Sequence, residues 1–375
     1  MNYQSRKELN MNISIIITFY NNKNILHTCL STLNETLKYT NEKIEVIIVN
    51  DNPQVDLSST LDMYKGVLDL NLVSMQKNSG YSAACNEGVK IAKYNFILLM
   101  DCDIIPCDNW LNSMIQTMND IDDNGCVSAT IVDMLTNRIY GYGFGVYGVD
   151  TIHFFQNREL DCCPKEDMDF PILSSGCMLM PKKLYLDVGG QDIAYLNAFN
   201  DFDFTYNCFK KNHPNRMSRN AIVFHRGHVA GNARTNFYAD SKAYFFRKFG
   251  SELDSMSKKM LLEIYQKYST LNNTSIIVVN FSNSLYRNTY VNMFTDIHKL
   301  EILQNYDFKN IGMNKIIIND YLTLDMCRLD IPILYFVDEY AVLEDNYFWF
   351  VNRKGKKDII IDRHANILDT DSFSF

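Results

Sequence analysis

Two aspartates, Asp101 and Asp103, stand at i and i+2 in MDCDIIP, directly after the apolar run FILLM. A buried strand ending there can turn both carboxylates toward one cation, and Mg²⁺ or Mn²⁺ held by hard oxygens completes its shell with waters and phosphates. Such a site would bridge a nucleotide diphosphate. A pair that merely caps a loop is the bland alternative, and the strand-end position favours the metal. A second pair with the same spacing, Asp201 and Asp203 in NDFDF, follows the small-residue loop SSGC that contains Gly176. A carboxylate beside a sugar there could deprotonate an acceptor hydroxyl as general base. Both could instead cap the following helix, Asp being a favoured N-cap, or one could cap while the other catalyses. His225 and His228 flank a strand end in FHRGHVAGN. A neutral imidazole is a good third metal ligand, but a lone His is more often a satisfied polar residue, so this role depends on the carboxylates being near.

Asp51 follows EVIIVN, where a carboxylate can accept from a base N–H or a ribose hydroxyl; a solvated turn Asp is the alternative. Thr18, Tyr20 and Asn21 follow the first apolar run. Asn78, Ser79 and Gly80 enter a helix whose free first-turn N–H groups could face a phosphate. GFGVYG, residues 143–148, matches a dinucleotide fingerprint only in spelling, since it lacks a preceding parallel strand and a following helix.

The elements that must hold these groups read as apolar run, loop, helical period, apolar run. NISIIITFY, EVIIVND, LNLVSM and FILLMDCD alternate with helices over about 24–40, 58–66 and 81–93. Continuous β-branched runs between amphipathic helices predict an α/β fold with a parallel sheet covered on both faces, and ligands bind such sheets at the carboxyl ends of the strands. The polar residues named above collect at those ends. Further on, the sequence predicts a helix near 108–123, turns or a hairpin in NRIYGYGFGVYG, a helix from Lys182, a strand AIVFH, a helix over Tyr238–Gly250 and another to about Tyr268. TLNNTS marks a break, after which SIIVVN, KLEIL, KIIIN, IPILYFV and DIIID predict a smaller α/β unit with no catalytic constellation. The expected organisation is a polar tail over 1–11, with Met11 an alternative start, a main domain over 12–268 and an accessory domain of unassigned role over 269–375.

The 375 residues are 47% hydrophobic and 21% charged, which places the chain among folded proteins. A formal charge of −8 gives no basis for gripping a phosphate polymer non-specifically. No uncharged apolar run approaches the ~20 residues of a membrane span, and the polar start has no signal-peptide character, so the expectation is a cytoplasmic protein, peripheral to a membrane at most. Ten cysteines without a Cys-x-x-Cys pair are expected to be reduced thiols.

Taken in order, ISIIITFYNN, EVIIVNDN, NSGYSAACNEGVKIAKYNFILLMDCDIIPCDNWL, LSSGCMLMPKKLYLDVGGQD, NDFDFTYNCFKKN and SKAYFFRKFG resemble the family 2 glycosyltransferases, most closely their bacterial rhamnosyltransferase-like branch, over about residues 12–250. The resemblance implies a GT-A fold, a Rossmann-like, mostly parallel mixed sheet. It implies that Thr18 and Tyr20 contact the nucleotide, that Asp51 recognises the base, and that Asp101 and Asp103 form the metal motif for Mn²⁺ or Mg²⁺, with Asp103 the more direct ligand. It makes Asp201 the base, and His225, with His228 as fallback, the His of the metal site. Asn78, Gly80 and Gly176 complete the expected nucleotide-sugar site. Asn200 departs from the family pattern, which commonly has Glu there.

The reaction implied is inverting transfer from a UDP-, dTDP- or GDP-sugar to a glycan or lipid-linked hydroxyl acceptor of a surface polysaccharide, with a homodimer allowed. A non-catalytic glycan- or nucleotide-binding homologue is the alternative, as is a glycosyltransferase acting on a protein side chain or nucleic-acid base; negative charge disfavours a nucleic-acid acceptor. A sugar nucleotidyltransferase would want a Gly-rich basic loop after the first strand, and TFYNNKN is not one.

Overall fold

The computed structural model describes residues 11–121, 124–147, 150–226, 237–250 and 252–253, and then 275–279, 301–303, 315–319, 327–328, 333–337, 347–362 and 367–369. The chain divides into two compact units at Leu253/Asp254.

In the first unit, strands β1 (Ile13–Phe19), β2 (Ile44–Asn50), β3 (Leu70–Ser74) and β4 (Phe96–Asp101) are parallel neighbours in the order β4-β1-β2-β3. Helices α1 (Lys23–Thr36), α2 (Ser58–Asp62) and α3 (Tyr81–Ile91) connect them. The continuous apolar runs arise because both sheet faces are covered. Ile13, Ile15 and Ile17 share a core with Leu26, Leu30 and Leu33 of α1 and with Trp110 and Met114 of α4 (Trp110–Asp120). Ile16 points the other way, toward α3, where a Cβ on Gly88 would lie only 2.4 Å from its Cγ2. Each fully buried isoleucine stabilises by roughly 1.5–3 kcal/mol. The first helix is shorter than the period suggested: α1 stops at Thr36 and a 3₁₀ turn, Leu37–Tyr39, follows.

Beyond β4 the sheet becomes mixed. β5 (Ile104–Pro106), β6 (Cys126–Asp133) and β7 (Ile139–Gly141) are followed by the antiparallel pair β8 (Phe144–Tyr147) and β9 (Asp150–His153), so residues 144–147 of GFGVYG form a strand and the motif leads to a second strand rather than to a helix. β10 (Met168–Asp169), β11 (Cys177–Pro181) and β12 (Asn215–His225) complete the order β10-β12-β6-β11-β4-β1-β2-β3. β11 is antiparallel to β4 and β6, and β12 is parallel to β6. Helices α5 (Lys182–Val188), α6 (Asn200–Lys210) and α7 (237–250) belong to this half. The short β5 reverses direction just after β4 and pairs with the end of β12, matching Ile104 with His225. Met11 is buried in the core beside β1.

Among its described residues the second unit holds six strands, β13 (Ser275–Val279), β14 (Glu301–Leu303), β15 (Lys315–Asn319), β16 (Ile333–Val337), β17 (Ile359–Asp362) and β18 (Ile367–Asp369). Their order is β14-β15-β13-β16-β17-β18, parallel except for β18. After helix α8 (Tyr347–Val351), Arg353 makes a fully buried, two-pronged ion pair with Asp358, Nε to Oδ2 and Nη2 to Oδ1 both at 2.7 Å. The Tyr335 hydroxyl donates to the same carboxylate at 3.0 Å, so the buried charge is well satisfied. The helix expected to reach Tyr268 lies outside the described residues.

Candidate active site

The parallel strands β1, β2 and β4 end together, which puts Thr18, Tyr20, Asp51 and Asp101 along one edge. Thr18 is the register partner of Asp101 across the β1–β4 pair, and Tyr20 is 45% exposed just past it. Asp101 donates its backbone N–H to the Gly176 carbonyl at 3.0 Å. A Cβ at Gly176 would sit 3.5 Å from Asp101 Oδ2 and 3.2 Å from Ile131, so the absent side chain leaves the carboxylate room.

Because β5 pairs with β12, Asp103 lies against His225, and His225 Nε2 is 3.2 Å from Asp103 Oδ2. Asp101, Asp103 and His225 bring one ligand atom each to within 4.8 Å of one another, and they are the one such group among the described residues. Two hard oxygens and an imidazole, partly buried, suit a Mn²⁺- or Mg²⁺-sized ion with positions left for water or phosphate. The Tyr140 ring packs against His225 at 4.7 Å, and Arg226 ties its N–H to the Asp103 carbonyl at 3.2 Å. His228 lies outside the described residues.

Asp201 sits in the first turn of α6. Its Oδ2 accepts the Ser175 N–H at 3.2 Å and its Oδ1 the Phe202 N–H at 3.0 Å. Ser175 is hydrogen-bonded through its hydroxyl to the Tyr81 hydroxyl at 3.3 Å. Burial pushes the Tyr81 phenol well up, and the negative charges of Asp101 and Asp201 push it further, because this ring stands near both carboxylates. The Tyr81 phenol thus lies within electrostatic reach of both acids, Asp101 at the strand end and Asp201 on α6, and Ser175, which binds Asp201, adjoins the Gly176 carbonyl that accepts from Asp101. Asp203 faces away, buried against Tyr195, Asn207 and Lys248. Asn200 is also buried, and its amide donates to Gln191 Oε1 at 3.3 Å.

At the loop 78–80, before α3, the structure differs from the expectation. The Ser79 and Gly80 N–H groups are not free for a phosphate, because they donate to Asp51 Oδ1 and Oδ2 at 2.8 and 2.9 Å. The Gly80 N–H also approaches Asn78 Oδ1 at 3.2 Å, and the Tyr81 N–H is taken by the Leu196 carbonyl at 3.1 Å. Burial raises the Asp51 carboxyl while the two N–H bonds pull it down. Asp51 therefore shapes the loop from which Tyr81 enters the site.

Gly80 is indispensable to this arrangement: its φ is +85° and a Cβ would meet the Leu196 carbonyl oxygen at 2.7 Å. Gly80→Ala is expected to cost about 1–3 kcal/mol and to lower the melting temperature by several degrees, at about 2–4 °C per kcal/mol for a domain of this size. A melting curve matching wild type would contradict the packing.

The described cysteines are free thiols. Cys29 and Cys177, next to the site, are driven strongly up in pKa by burial, which makes them inert.

Residues 14–189 match the family model described as Glycosyl transferase family 2. Over that segment the chain carries a family 2 glycosyltransferase domain. Over 114 residues it is 40% identical to the hyaluronan synthase of Pasteurella multocida, covering 30% of this chain and 11% of that protein. It is 25% identical over 302 residues to the chondroitin synthase of Escherichia coli, covering 69% of this chain and 43% of that one. Poly-beta-1,6-N-acetyl-D-glucosamine synthase of Staphylococcus aureus (strain MSSA476) is 32% identical over 93 residues, covering 25% of this chain and 22% of that protein. The chain thus spans less than half the length of each. A crystal structure of GalNAc-T7 with UDP, GalNAc and Mn²⁺ superposes with a TM-score of 0.52 at 14% identity, covering 69% of this chain and 52% of that one. The mixed, mostly parallel sheet is of the GT-A, Rossmann-like type. The match is to the family, and the rhamnosyltransferase-like branch stays an expectation.

Proposed function

We propose that the chain is an inverting, metal-dependent glycosyltransferase that moves a sugar from a nucleotide diphosphate sugar to a hydroxyl of a surface polysaccharide or its precursor. One observation carries this reading: Asp101, Asp103 and His225 converge at the strand ends, and the Ser175–Gly176 loop runs from that cluster, where the Gly176 carbonyl accepts the Asp101 N–H, to Asp201, which accepts the Ser175 N–H.

Asp101, Asp103 and His225 would hold the cation. A divalent ion bound there supplies positive charge against the departing diphosphate. Asp201, oriented by the Ser175 and Phe202 N–H groups, takes the proton of the acceptor hydroxyl as that oxygen attacks the anomeric carbon. The C–O bond to the diphosphate breaks on the opposite side, and the configuration inverts. The Asp51 loop and Thr18 line the edge assigned to the nucleotide. The names of the related synthases, whose products are polysaccharides, support a glycan acceptor. Residues 269–375 are assigned to structural support or acceptor docking. Among the described residues no helix is long and apolar enough to cross a membrane, and a cytoplasmic or membrane-peripheral setting is part of the proposal.

The test is a panel of UDP-, GDP-, dTDP- and CMP-sugars with and without Mn²⁺, read by thermal shift and by mass spectrometry of glycan products. At a ligand concentration of about 100 Kd the fold gains about 2.7 kcal/mol, so one nucleotide should raise the melting point by several degrees in the presence of metal, and product should show the inverted anomer. Absence of both a metal-dependent shift and transfer across the panel would refute the assignment.

A further inference from the structure

Asp201 enters α6 through an awkward turn. Ala198 has φ of +90° and Phe199 of +62°, two consecutive non-glycine residues in left-handed backbone. Each such residue is strained and persists only where its surroundings over-determine it. The surroundings come from α7. Its Lys248 ammonium is 2.7 Å from Asp203 Oδ2, in α6, and 3.3 Å from Asp192 Oδ2, at the start of the loop leading to the turn. Tyr244, one turn earlier, donates to Asp192 Oδ2 at 3.1 Å and packs its ring on Tyr195 at 5.0 Å. Tyr195 donates to Asp203 at 3.0 Å, and Phe245 packs against Phe199 at 5.4 Å. The Asp203 N–H closes the first turn of α6 on the Phe199 carbonyl at 2.9 Å.

We infer that Lys248 is a positioning residue for Asp201: by bridging Asp192 and Asp203 it clamps both ends of the strained turn at Ala198–Phe199 and so fixes where the Asp201 carboxylate is presented. The inference rests on the reading of Asp201 as the base. Lys248 lies outside residues 14–189, the segment that the family model matches. Asp203 is 3% exposed, so removing the ammonium alone strands a buried carboxylate, a stability cost separate from any loss of positioning. The double substitution separates the two effects.

Three forms are compared: wild type, Lys248→Met, and Lys248→Met with Asp203→Asn. Lys248→Met is expected to melt lower and to lose about 10²-fold in kcat, the scale of a displacement near 1 Å, with donor KM unchanged within about twofold. The double variant removes the stranded charge and is expected to regain the melting temperature while kcat stays low. Amide hydrogen exchange should be faster over 195–203 in both variants and unchanged over 44–50. Recovery of kcat together with the melting temperature would make Lys248 a merely structural ion-pair partner and overturn the inference, as would an unaltered kcat in Lys248→Met or a donor KM that rises in step. If wild type transfers no sugar, the functional reading fails by itself. Exchange over 195–203 then still judges the clamp, and an unchanged rate there overturns it.

Discussion

Asp201→Asn is expected to cut turnover by about 10²–10⁴-fold, the range that a positioned general base contributes, while donor binding and its metal dependence persist. The amide cannot take the acceptor proton, yet it fills the same volume at the first turn of α6. It also keeps one acceptor for the two N–H groups, Ser175 and Phe202, that Asp201 now serves. One of these donors then faces an NH₂ group, so a stability cost of about 1 kcal/mol is expected and would be seen in the melting curve. Steady-state kinetics at saturating donor separates the effects, since a base acts in the transition state and its loss appears in kcat. Turnover within a few-fold of wild type would remove Asp201 from the chemistry.

Asp103→Ala should abolish the metal-dependent part of donor binding. The side chain brings an oxygen to the three-residue cluster and stands 3.2 Å from His225 Nε2, so its removal takes away a proposed ligand and the imidazole's neighbour together. Several kcal/mol of charge stabilisation at the leaving diphosphate is at stake. At about 1.4 kcal/mol per tenfold in rate, the expected loss is about 10²–10³-fold. The metal-free variant should melt near wild type, because the substitution also relieves two carboxylates facing each other. A Mn²⁺ titration followed by nucleotide thermal shift is the check. An undiminished shift in Asp103→Ala would place the cation elsewhere.

The strand ends were readable because they follow uninterrupted apolar runs: Asp51, Asp101 and Asp103 needed only the rule that a parallel sheet collects ligands at its carboxyl edge. His225 required more, and its meeting with Asp103 depends on β5 turning back onto β12. The sequence pattern revealed only the apolar half of β12, AIVFH, because its first half, NRMSRN, is polar and the register slips between Ser218 and Ile222. Tyr81 and Ser175 carried no signal, since no spacing rule links residues that meet only when β11 returns antiparallel beside β4. Lys248 sat in plain view in SKAYFFRKFG, but its partners Asp192 and Asp203 belong to other elements. The loop at Asn78–Gly80 had the composition of a phosphate cradle, and its N–H groups went to Asp51 because a buried carboxylate is a stronger local acceptor than solvent.

The pairing of β5 with β12 bears on how the protein comes into being. The residues of the proposed cation site come early, at 101 and 103, and late, at 225, so the three-residue cluster cannot be assembled until β12 has docked beside β6. Closing so long a stretch of chain is a slow, non-local step, and any ion held afterwards adds its binding energy to the finished arrangement alone. During synthesis, then, acquisition of the ion would report that this unit has closed. A nascent chain released before β12 would hold the parallel strands β1 to β4 and yet lack the imidazole that completes the cluster.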